Sequence, residues 1–107
     1  MASVESLADA LAAFKEGAKT GKPVELLFTW NHLRAAGIGY AMAIVAKARA
    51  AYPDIASCAV LDAGEDAGLA LSGLRSGADK VVFSGTPAMA AKLSQIARQL
   101  GVVLAPM

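Results

Sequence analysis

Four short apolar runs, each preceded by a stretch of helical character, limit what this chain can fold into. They are Val24-Glu25-Leu26-Leu27-Phe28, Ser57-Cys58-Ala59-Val60-Leu61, Lys80-Val81-Val82-Phe83 and Val102-Val103-Leu104. Most are bounded by Gly, Pro, Asp or Ser, and near-continuous apolar runs of this length are the pattern of parallel strands covered on both faces. Strands that alternate with helices form βαβ units.

The intervening segments read as four helices. The first spans about Val4 to Lys19, where Val4, Leu7, Leu11, Phe14 and Ala18 make one apolar stripe. Thr20-Gly21-Lys22-Pro23 ends it. The second runs from about His32 to Ala51, stopped by Tyr52-Pro53-Asp54, and the third from about Glu65 to Ser76. The fourth opens on Thr86-Pro87, a cap followed by proline at the first helical position, and closes at Gly101. The expected order is α-β-α-β-α-β-α-β: a small four-stranded, mainly parallel sheet with flanking helices. Right-handed crossovers leave two arrangements. An open doubly wound sheet is favoured over a partial βα barrel, because the latter leaves edges that need covering.

A chain of 107 residues is one domain, residues 1–107. Ten Lys and Arg against nine Asp and Glu give a net charge of +1, so no strongly basic surface made for nucleic acid is expected. Apolar residues make up 56%, which excludes disorder, yet no apolar run reaches about 18 residues, so no membrane span is expected. With one cysteine, Cys58, and no apolar leader after Met1, a soluble cytoplasmic protein is expected, with the thiol buried in a strand. The 56% omits glycine, whereas a typical domain reaches roughly 45–50% with glycine included. So small a domain hides that much apolar surface poorly, and a homo-oligomer, in first place a dimer, is the expected partner. The 25 alanines account for part of the excess.

Ligands of parallel α/β folds bind in the loops that follow the strands, and there this sequence keeps its polar groups. After the first strand come Thr29, Trp30, Asn31, His32 and Arg34; after the second, Asp62, Glu65 and Asp66; after the third, Ser84, Gly85 and Thr86. His32 and Asp62 are the candidate catalytic residues, as an imidazole and a carboxylate able to move a proton near neutral pH. The remaining residues are candidates for ligand binding, with a small anion as the expected ligand at a helix start or at Arg34. Simpler roles compete: Thr29 or Asn31 as a helix cap, Trp30 packed over the sheet end, and Glu65 and Asp66 as first-turn carboxylates favoured by the helix dipole. The Gly37-Ile38-Gly39 sequence falls too far after its strand for a dinucleotide fingerprint and reads as a close-packing surface. No metal or cofactor is expected.

Ala59-Val60-Leu61-Asp62-Ala63-Gly64, then a helix, then Ser76-Gly77-Ala78-Asp79-Lys80-Val81-Val82-Phe83-Ser84-Gly85, resembles adjacent βα units of class II aldolase-type barrels. The resemblance implies a barrel-type βα arrangement and matches Asp62 to that family's catalytic acid and Gly64 to its glycine. Ala63 stands where the family has its metal-binding histidine, so the resemblance brings no metal site.

Three functions follow as expectations. The first is a non-catalytic module that self-associates or binds a ligand or partner. The alternative is a small enzyme or enzyme subunit with an anionic-metabolite site at the C-terminal edge of the strands. A receiver-type regulatory domain would need an acidic pair where Thr29 and Trp30 stand.

Overall fold

A computed structural model describes residues 2–106. It is an α/β fold of five strands and five helices: β1 (Ala2–Ser3), α1 (Leu7–Thr20), β2 (Val24–Phe28), α2 (Trp30–Ala36), α3 (Ile38–Ala51), β3 (Ser57–Asp62), α4 (Ala67–Leu74), β4 (Lys80–Val82), α5 (Pro87–Leu100) and β5 (Val103–Ala105). The α/β class and the parallel sheet are as the sequence led us to expect, with one strand and one helix more.

The additional strand is β1, two residues too short to show any periodicity. It pairs with β2 in parallel and is prolonged by the Val4 N–H, which donates to the Leu27 carbonyl at 2.9 Å. Val4 therefore belongs to the sheet rather than to the first helix, and it is 1% exposed. The additional helix arises at Gly37, where φ 90 and ψ 156 break the expected second helix into α2 and α3. Side chains with a Cβ almost never adopt that backbone conformation. Four of the helices start at a side-chain cap: Ser6, Thr29, Asp66 and Thr86 each accept the backbone N–H three residues on.

All five strands run parallel, and their spatial order is β1-β2-β3-β4-β5, the order of the chain. This corrects the doubly wound arrangement. A doubly wound sheet reverses its winding at a switch point, whereas right-handed crossovers that always advance in one direction put every helix on the same face. The topology is an arc of a βα barrel.

The register shows the consequence. Leu26, Ala59, Val81 and Leu104 point to the helices, as do Val24, Phe28 and Leu61, and they join Phe14, Leu33, Val45, Leu74 and Leu93 in one core. The alternate residues point the other way: Ser3, Leu27, Val60, Lys80 and Val103 in one row, Glu25 and Cys58 before it, Asp62, Val82 and Ala105 beyond it. Among the described residues, no helix lies over them. Val60 is 1% exposed yet stands outside the main core cluster, in register between Leu27 and Lys80. Cys58, expected to be buried, is half-buried on this bare face.

Among the described residues, no helix is long and apolar enough to cross a membrane.

Candidate functional site

The C-terminal ends of β2, β3 and β4 bring three loops together. In the β3–α4 loop, Asp62 Oδ1 accepts the Gly64 N–H at 2.9 Å, and the Ala63 N–H donates to the Val82 carbonyl. The Ser84 N–H donates to the Gly64 carbonyl at 2.7 Å, which ties this loop to the one after β4. Gly64 has φ 56, and a Cβ there would meet the Trp30 indole at 3.2 Å, so its missing side chain serves both the turn and the seat of Trp30. Arg34 Cζ lies 4.7 Å from the Trp30 ring centroid, a cation–π contact on the solvent side. The Trp30 Nε1 is buried and has no hydrogen-bond partner.

The two candidate catalytic residues, His32 and Asp62, bond to different backbone groups. His32 Nε2 lies 3.0 Å from the Glu5 carbonyl, in the loop that follows β1, and the imidazole packs beside Phe28 and Tyr40 with ring centroids 6.0 Å away in each case. Donation from Nε2 leaves Nδ1 as the acceptor nitrogen, and that atom is buried without a partner. Asp62 turns its carboxylate to the Gly64 N–H on the β3 side. The two groups are each taken up in holding a different loop.

The caps divide as chemistry favours. Thr29 Oγ1 accepts the His32 N–H and begins α2, so Thr29 rather than Asn31 is the cap, and Asn31 is exposed. Asp66 Oδ1 accepts the Leu69 N–H at 2.9 Å and begins α4. Thr86 Oγ1 accepts the Met89 N–H and begins α5, with Pro87 at its first position.

A surface cleft of about 470 Å³ opens between α4 and α5, lined by Glu65, Ala67, Phe83, Ser84, Gly85, Thr86 and Met89. The Phe83 ring is its apolar wall. A Cβ on Gly85 would lie 2.3 Å from that ring, so only glycine fits beside it. Of the sequence candidates, Glu65, Ser84, Gly85 and Thr86 meet here, while Thr29, Trp30, Asn31, His32, Arg34, Asp62 and Asp66 line no part of this cleft. The one charge in the lining is the Glu65 carboxylate, and no Lys or Arg joins it. Among the described residues, no three His, Cys, Asp or Glu side chains gather closely enough to hold a metal ion.

The residues that reading by loops missed are those of the bare face. Their signal was present: Glu25 and Lys80 interrupt apolar runs at positions that alternate with core residues, which marks a strand with only one covered face. Cys58 shows the same environment. Burial raises its thiol pKa, with help from the carboxylates of Asp79 and Glu25, while Lys80 and Arg49 oppose the shift.

No protein-family model and no curated protein matches the chain.

Proposed function

We propose that this chain is a non-catalytic module that associates with itself. The observation that carries the proposal is the bare face of the sheet, where Leu27, Cys58, Val82, Val103 and Ala105 stand clear of the core. Val103, at 58%, is the most exposed of the large apolar side chains among the described residues. Partly exposed apolar residues gathered on one face among polar groups are what interaction surfaces present to water. A single unpaired cysteine suits a reducing compartment, and the cytoplasm is part of the proposal.

The alternative is an enzyme or enzyme subunit that holds an anionic metabolite at the strand ends. The cleft beside Phe83 lies where parallel α/β folds bind ligands, which favours it. The lone Glu65 carboxylate has the wrong sign for an anion, and the Thr86 hydroxyl already caps α5. His32 Nε2 is taken up by the Glu5 carbonyl and Asp62 Oδ1 by the Gly64 N–H, which lends an acid–base pair no support.

Sedimentation velocity and native mass spectrometry over a concentration series test the proposal. A monomer–dimer equilibrium is expected. A chain still monomeric at about 1 mM, where an association of only about 4 kcal/mol would show, overturns it.

A further inference from the structure

The bare face carries its own complement. Glu25 stands on β2 and Lys80 on β4, on either side of β3. Both point away from the helices. Among the described residues the only ion pair is Arg49–Asp79, and neither Glu25 nor Lys80 has a charged partner among them. Lys80 is half-buried by the apolar residues around it, which is a poor setting for a lone ammonium.

We infer that a second copy of this chain covers the bare face across a twofold axis along β3, with Glu25 of each copy paired to Lys80 of the other. This rests on the self-association proposed above and adds the surface and its geometry. An axis along β3 exchanges the β2 and β4 sides, so β2 of one copy faces β4 of the other. Glu25 is in register with Cys58, and Lys80 with Val60, two residues further along β3. That offset is about 7 Å along the strand, within the span of a lysine side chain. The same operation brings Leu27 and Val82 of both copies into one apolar layer between the sheets.

The edges are poor competitors for this contact. β1 has two residues and β5 three, followed directly by Pro106, and short strands stopped by proline are blunted edges. The area sets the strength. The five strands have 2, 5, 6, 3 and 3 residues, and at about 3.3 Å per residue and about 4.8 Å spacing they present roughly 300 Å² per copy. A standard interface takes about 800 Å² from each partner, so the dimer is a weak one in exchange with monomer.

The charges give a test that leaves the fold alone, because Glu25 is exposed and Lys80 lies at the start of an otherwise short strand. Glu25→Lys places like charges across the axis, and so does Lys80→Glu. Each variant alone is expected to dimerise about tenfold or more weakly than the natural chain. Mixed one to one, the two variants restore both pairs, and native mass spectrometry should then show the heterodimer in excess over either homodimer. Leu27→Glu should abolish the dimer, while Tyr40→Glu, on the exposed part of α3, should leave it unchanged. A natural chain that never dimerises overturns the self-association on which the inference rests. A dimer that survives Leu27→Glu and the charge changes, shows no heterodimer preference, and is lost in Tyr40→Glu overturns the inference alone.

Discussion

The carboxylate oxygen Oδ2 of Asp79 lies 2.7 Å from the Arg49 guanidinium and accepts the Ala59 backbone N–H at 2.8 Å. The backbone of Asp79 continues the junction: its N–H donates to the Ala59 carbonyl and its carbonyl accepts the Val103 N–H, both at 3.1 Å. Arg49 Nε also donates to Ser57 Oγ at 2.8 Å. One residue therefore joins β3, β5 and α3 at the N-terminal end of the sheet, the end away from the cleft, where a parallel α/β fold keeps its stability rather than its chemistry.

Asp79→Ala should destabilise the fold by about 1–2 kcal/mol, because it removes the acceptor of a main-chain N–H between two strands. Arg49→Ala should cost less, about 0.5 kcal/mol. The ion pair is exposed at 36% and 44%, and solvent screens it. Urea denaturation of both variants checks the order. Equal losses would show that the ion pair, not the backbone bond, holds the junction.

Gly37 and Gly39 should respond to alanine in opposite directions. Gly37 sits at φ 90 with open space around its Cα, so alanine there meets strain and no clash. A loss of about 1–3 kcal/mol is expected. Gly39 is the second residue of α3, also in open space, and alanine there should gain up to about 0.5 kcal/mol from helix propensity. Thermal unfolding followed by circular dichroism checks both. A rise in helix content with no loss of stability in Gly37→Ala would mean that α2 and α3 can join as one helix.

That break is also where sequence legibility ends. The runs around Leu26, Ala59 and Val81 declared themselves as strands because they are short, apolar and bounded by Gly, Pro, Asp or Ser, although only one of their faces is covered. Thr86-Pro87 declared a helix start because both residues have a local stereochemical role there. The winding was not legible. Successive βα units look the same whether the next strand is added on one side of the sheet or the other, and only Glu25, Cys58 and Lys80 hinted at an uncovered face. Gly37 was ambiguous because its positive φ leaves no trace in the apolar spacing. His32 looked catalytic because a loop position and a titratable ring are visible in sequence, whereas its bond to the Glu5 carbonyl, 27 residues away, is not.

His32→Ala should loosen the loop between β1 and α1. The imidazole is the side chain that ties α2 to the Glu5 carbonyl, and its loss leaves that bond unmade and the space between Phe28 and Tyr40 open. A destabilisation of about 1–2 kcal/mol is expected, with faster amide exchange over Ala2–Val4 and little change at β4 and β5. Uniform exchange across the sheet would show that the contact holds no local unit.

Cys58 should be a slow thiol in dilute, monomeric protein. Burial raises its pKa first, and the carboxylates of Asp79 and Glu25 raise it further against the opposing Lys80 and Arg49. The thiolate is the reactive form, so at pH 8 alkylation should lag behind that of a free cysteine peptide, and the rate should still be climbing above the pH at which the peptide levels off. Glu25→Gln removes one of the raising charges and should speed labelling, while Lys80→Gln removes a lowering charge and should slow it. The effect on folding has a fixed sign. Because the folded pKa lies above the unfolded one, the neutral thiol favours the fold; that contribution is whole below the unfolded pKa and disappears as pH rises through the folded one. Raising the protein concentration separates charge from cover: if a second copy lies over Cys58, labelling slows at every pH in proportion to dimer. A thiol as fast as the free peptide, at the same pH and in dilute protein, would contradict its placement on the half-buried face.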